Sequence, residues 1–175
     1  PLDVADVVGE IDDGGTVASR LLVHERLAVG GGSPYTSGKS GGHDAGDDDV
    51  RLADIVRSQG RAGDSRARHL VAEAHVRKVV HRQLNERLTQ AMSTGAMPPP
   101  AGSLMKLFAA TNVMRRSEIG LELAGTEAVV WPPGDDLPAG AQLGDFSLWR
   151  QGMSLGGGSN EIQRNIISER LLGMP

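Results

Sequence analysis

Residues 156–175 read GGGSNEIQRNIISERLLGMP. Three glycines open the stretch, and glycine runs make poor helix. Ser159 or Asn160 then offers a side-chain oxygen to the free amides of a helix start. Glu161 falls in the first turn, where the helix dipole favours a negative charge. Ile162, Ile166, Ile167 and Leu171 recur at helical spacing and form one apolar face. Arg170 lies near the end, Gly173 is placed as a C-terminal stop, and Pro175 forbids continuation. The stretch is a glycine loop feeding an amphipathic helix. Such a loop lets another molecule approach the backbone, and free amides at a helix start attract phosphate or polar groups. The plainer reading is a hinge before a packing helix.

Upstream, the same helical grammar repeats. Val4, Val7 and Val8 make residues 1–15 an extended lead-in segment, closed by the turn residues Asp12-Asp13-Gly14-Gly15. Residues 16–175 form the domain proper. A first helix is expected over 16–29, with Val17, Leu21, Leu22, Ala28 and Val29 apolar. Residues 30–49, rich in glycine and serine, read as a mobile loop. His43, Asp44, Asp47, Asp48 and Asp49 read as a solvated, helix-capping run rather than a metal site, so no metal is expected. Helices follow over 50–59, 66–92 and 103–123. Asp64 or Ser65 caps the second of these, and Leu104, Leu107, Phe108, Thr111 and Met114 form a stripe on the third. Residues 125–144 read as a loop, and a shorter helix is expected over 145–155. His69, His75 and His81 lack the i, i+4 spacing of a helical metal pair. Five or six helices with short connections imply an all-α fold, an up-and-down four-helix-type bundle.

Composition sets the bounds. The chain has 175 residues, enough for one domain with a core. Aromatic residues make up only 3%, so aliphatic residues and alanine must fill that core. The net charge of −4 argues against nucleic acid as the main partner. No apolar run is long enough for membrane insertion. There is no cysteine, which excludes thiolate chemistry and, with no signal peptide, leads to the expectation of a cytoplasmic protein.

The run from Gly157 to Ile167, followed by Glu169-Arg170-Leu171-Leu172-Gly173, resembles the C-terminal signature of the acyl-CoA dehydrogenase family. The unit Val8-Gly9-Glu10, Gly14-Gly15, Val17-Ala18, Leu21-Leu22, Glu25-Arg26 resembles the family's junction between its middle β-domain and its C-terminal helical domain. Thr16 stands where the family usually has tryptophan. The resemblance implies that upstream domains belong to the full protein, and that these 175 residues alone are inactive. It implies an FAD-dependent enzyme that forms an α,β-double bond in an acyl-CoA thioester during lipid or steroid-side-chain degradation. An electron acceptor such as electron-transfer flavoprotein and a homo- or hetero-oligomer, dimer or tetramer, are implied with it.

The resemblance also assigns residues. The family places its base at one of two positions. One lies just before the terminal glycine motif, and here it is Gly157, which cannot take a proton. The other lies on the first helix before an arginine, and here it is Glu25, with Arg26 placed to hold it. The plainer reading makes Glu25 and Arg26 a structural pair. Gly158, Ser159, Asn160 and Glu161 match the family's flavin-contacting element. Glu122 and Gly125, in Glu122-Leu123-Ala124-Gly125-Thr126, match a second element that reaches the flavin of a neighbouring subunit. There Glu replaces Gln, and a carboxylate repels a pyrophosphate. Arg61 is the nearest stand-in for a further arginine element. The alternatives are a non-catalytic subunit of a hetero-oligomer, a helical interaction domain without chemistry, and an oxidase on the same fold.

Overall fold

Asp64 starts the longest helix. Its carboxylate accepts hydrogen bonds from the amides of Arg66 and Ala67 at 2.9 and 3.3 Å, two of the donors a helix start leaves free. This computed structural model describes residues 7–29, 48–133 and 137–175, without the side chains of 26–29 and 48–50. Six α-helices run in order: α1 Gly14–Val29, α2 Asp48–Ser58, α3 Ser65–Ser93, α4 Gly102–Ala124, α5 Ala139–Trp149 and α6 Asn160–Asn165. Short 3₁₀ turns at Pro99–Ala101, Gly125–Ala128 and Arg150–Ser154 join them, and α6 widens into a π-turn over Ile166–Leu171. There is no strand among the described residues. The all-α bundle expected from the sequence is the fold observed. Val7 and Val8 are exposed and precede a turn. Residues 30–47, with His43, Asp44 and Asp47, lie outside the described residues, whereas Asp48 and Asp49, expected in the loop, open α2.

α3 and α4 run antiparallel. Arg66 pairs with Glu122, Glu73 with Arg115, and His81 stacks near Phe108, so position falls along one helix as it rises along the other. One core cluster joins Leu52 and Val56 of α2, Ala67, Leu70 and Ala74 of α3, and Ile119 and Leu123 of α4. A second joins Leu88, Ala101 and Met105, with Leu171 packed against it. The first is aliphatic residues and alanine, and the second adds methionine. Trp131 and Trp149 are exposed.

Two expectations need correction. The stripe Leu104, Leu107, Phe108 and Met114 is only half-buried, and Thr111 is exposed. α4 is the central helix, packed against α1, α2, α3, α5 and α6, and its buried positions include Met105, Lys106, Ala109, Ala110, Asn112 and Ile119. Small residues there let several helices approach at once. α5 begins at Ala139 rather than at Asp145, directly after Pro138, a residue compatible with a helix start. Its glycines are contact points: a Cβ on Gly144 would stand 1.9 Å from the Ala128 carbonyl oxygen. Among the described side chains α1 is largely exposed, Leu21 at 67%.

At Thr16, the hydroxyl donates to Asp13 Oδ1 at 2.6 Å and closes the turn before α1. His69 and His75 are exposed. His81 is half-buried, 5.8 Å from the Phe108 ring, with Nε2 3.1 Å from Asn85 Nδ2. No cluster of three metal-ligating side chains occurs among the described residues.

Glu73 joins the two long helices by charge. It accepts from Arg115 Nε and Nη2 at 2.8 Å each and from Arg77 Nε at 2.8 Å. Arg115 first, then Arg77, hold its carboxyl at about 2, against 4.5 ordinarily. Folding therefore favours the ionised form. That stability is present above the unfolded value and is lost as pH falls from about 4.5 towards about 2. The melting temperature should fall with acidification through this window, and Glu73→Gln should flatten the fall. An unchanged slope in Glu73→Gln would assign it to other carboxylates.

Candidate active site

Gly157 and Gly158 form a turn that no other residue type could make cheaply. Their φ angles are +71° and +95°, a left-handed region closed to ordinary side chains. Gln163, from the first turns of α6, is wholly buried. Its Nε2 donates to the carbonyls of Gly157 and Gly158 at 3.0 and 3.2 Å. A Cβ on Gly158 would stand 2.7 Å from that Nε2. Gly158→Ala should therefore destabilise the protein by about 2–4 kcal/mol, combining a left-handed backbone cost with a displaced buried donor. Gly173→Ala is the control: φ there is +65° with open space around it, so only the backbone term applies. Equal melting temperatures for the two variants would show that the Gln163 clasp contributes nothing.

The other side of the turn faces α1. Gly157 N–H donates to Glu25 Oε1 at 3.1 Å, across 132 residues of sequence. Glu25 is half-buried. The two positions that the resemblance singles out for a base thus meet at one hydrogen bond. Arg26 is on α1, but its side chain lies outside the described residues.

Behind the turn stands a group the sequence reading overlooked. Lys106 of α4 is wholly buried, and its Nζ donates to the Met153 carbonyl at 2.5 Å. Burial pushes its ammonium below the usual lysine range, and the negative charge of Glu25 works against that. Lys106 follows Met105 among the mostly apolar and small buried residues of α4. A charge within such a run is the one signal that could have marked it.

Ser159 is the N-cap of α6, with Oγ accepting from Ile162 N–H at 3.4 Å. Glu161 is exposed, and its own backbone N–H, then the Ser159 hydroxyl, hold its carboxyl below the ordinary value. Asn160 Oδ1 is buried without a hydrogen-bond partner among the described residues. A glycine-lined turn with two unclaimed acceptors beside it, Asn160 Oδ1 and Gln163 Oε1, fits a ligand with polar N–H groups, such as a flavin ring.

Glu122 and Gly125 lie elsewhere. They stand sixteen or more positions beyond Lys106 on α4, roughly 24 Å along the axis at 1.5 Å per residue. Both Glu122 oxygens accept from Arg66, at 2.8 and 3.1 Å, and the Arg66 hydrogen bond lowers its carboxyl. Gly125 closes α4 at φ +57°. Arg61 donates to the Leu123 carbonyl at 3.2 Å and to Asp64. With its carboxylate engaged by Arg66, Glu122 does not fit as a pyrophosphate ligand.

Fold and site define a helical domain that presents a carboxylate against a glycine turn. The chain matches the family described as acyl-CoA dehydrogenase, C-terminal domain, over residues 12–172. It belongs to the acyl-CoA dehydrogenase family and represents that domain. Among solved structures it is similar to a variant of the steroid ACAD Tcur3481-Tcur3483, with TM-score 0.69 and 23% identity. The match covers 99% of this chain and 43% of that one, so the chain spans less than half of its length. A comparison with curated proteins gives no match.

Proposed function

We propose that this chain is the C-terminal domain of an FAD-dependent acyl-CoA dehydrogenase in which Glu25 is the base. The supporting observation is the Glu25–Gly157 hydrogen bond of 3.1 Å. It places a carboxylate beside the turn where the motif's other base position is empty. The α-proton of a thioester is weakly acidic, so its acceptor must be close, aligned and poorly hydrated. Gly157 N–H directs one oxygen of Glu25, and among the described residues the other carries no hydrogen bond. Gly158, Ser159, Asn160 and Glu161 would form the edge of the flavin site. Bound FAD would supply the hydride acceptor. The substrate is an acyl-CoA thioester of lipid or steroid-side-chain breakdown, a class that the steroid ACAD similarity favours. The assembly is an oligomer with electron-transfer flavoprotein or a similar acceptor. No helix among the described residues is long and apolar enough to cross a membrane.

The test is turnover of Glu25→Gln in the full-length enzyme. A second reading, a partner subunit without its own chemistry, draws on the Arg66–Glu122 pairing. Full-length protein that purifies without flavin, yet assembles with a flavin-bearing partner, would favour it.

A further inference from the structure

Within α6, Gln163 alone is buried, and wholly so. An apolar side chain would fill such a place at no polar cost, whereas a carboxamide must find partners. Gln163 finds them for its donors only. Nε2 reaches the Gly157 and Gly158 carbonyls at 3.0 and 3.2 Å, and Oε1 has no hydrogen-bond partner among the described residues. Two carbonyls can face only the nitrogen end, which fixes the orientation of the amide. The backbone of the same residue adds a third bond, from Gln163 N–H to the Ser159 carbonyl at 2.9 Å. Three successive carbonyls, of Gly157, Gly158 and Ser159, thus accept from one residue. An unmet buried acceptor is unfavourable. It is tolerated here for what the donors hold.

They hold a turn with little stiffness of its own. Glycines at φ +71° and +95° keep the widest backbone freedom of any residue type. Because a peptide unit is planar, holding both carbonyls fixes both peptide planes. α6 is itself tied down. It packs against α4, and Leu171 of its π-turn continuation joins the cluster of Leu88, Ala101 and Met105. The line of contacts runs from the core through Gln163 to the Gly157 amide, which meets Glu25 Oε1 at 3.1 Å. The segment before the turn has a separate anchor, Lys106 Nζ on the Met153 carbonyl.

We propose that Gln163 is a positioning residue for Glu25. Its carboxamide holds the glycine turn so that Gly157 N–H directs one oxygen of the Glu25 carboxylate. The consequence for turnover rests on the reading of Glu25 as base. The hold on the turn does not.

The experiment uses the full-length FAD-loaded enzyme with Gln163→Met and Gln163→Asn. Methionine keeps nearly the same shape and has no side-chain N–H. Asparagine keeps the amide but draws it back by one methylene, and it carries the test should Gln163→Met fail to fold. Amide hydrogen exchange across residues 156–160 should quicken about 10-fold in both variants, with exchange in α3 and α4 unchanged. kcat should fall about 100-fold through misplacement of the base, while KM and flavin content stay near wild type. In a double-mutant cycle that loss should be largely absent once Glu25 is already glutamine, because nothing is left to position. Exchange at the wild-type rate in both variants would overturn the proposal. So would a change confined to KM, or a turnover loss that adds in full to that of Glu25→Gln, the mark of a merely structural residue. Quickened exchange in an enzyme indifferent to Glu25→Gln would uphold the hold on the turn and reject Glu25 as base.

Discussion

Glu25→Gln in the full-length enzyme is expected to lower turnover by roughly 100- to 10,000-fold, the range that general-base catalysis contributes. The exchange is nearly isosteric. The amide oxygen of glutamine can still accept from Gly157 N–H, the bond that Glu25 Oε1 makes at 3.1 Å, so the turn and the flavin should stay in place. What glutamine cannot do is take the α-proton. Retained melting temperature and flavin content with lost turnover would mark Glu25 as the base. Loss of flavin or of folding would make Glu25 a structural clamp on the glycine turn. Near wild-type turnover would move the chemistry to another residue. Gly157→Glu offers a companion test, because it returns a carboxylate to the alternative position. The φ of +71° there sets a backbone cost of about 1–2 kcal/mol, so any rescue should be partial.

Gly144→Ala should produce the largest loss of stability. A Cβ there would stand 1.9 Å from the Ala128 carbonyl oxygen and 2.9 Å from its carbon. These are backbone atoms, so no rotamer change relieves the clash. α5 would have to withdraw from the 3₁₀ turn at Gly125–Ala128, against which it packs. Overpacking commonly costs about 1–3 kcal/mol, and a backbone clash belongs at or above the top of that range. The denaturation midpoint of the variant should fall accordingly. Gly152→Ala, with nothing within 4 Å, is the control, and comparable stability of the two variants would show that α5 does not depend on close approach.

Gly144 also shows why sequence reading stopped where it did. Glycines between 125 and 144 read as loop, yet Gly140 and Gly144 are helical residues chosen for missing side chains, not for backbone freedom. That distinction depends on a neighbour the sequence does not display. Where the signal was local, it was legible. Asp64 and Ser159 are caps as their positions imply, and Gly173 at φ +65° ends the final helix, with Met174 N–H returning to the Ser168 carbonyl at 2.8 Å. α4 packs against five other helices, so no single apolar stripe marks its buried positions. At the site, the family resemblance marks Glu25 and Gly157, but only the fold joins them. Lys106 and Gln163 escaped notice because their worth lies in the Met153 and Gly157 carbonyls they reach.

The central claim, that Glu25 removes the α-proton, is tested most directly without the redox step. An acyl-CoA analogue lacking a transferable β-hydrogen is bound to the full-length enzyme in deuterium oxide. Washout of its α-proton is then followed by NMR for wild type and Glu25→Gln. The account predicts rapid exchange in wild type and exchange slowed by roughly 100-fold or more in Glu25→Gln, with the analogue still bound. Exchange at the wild-type rate in Glu25→Gln would contradict it.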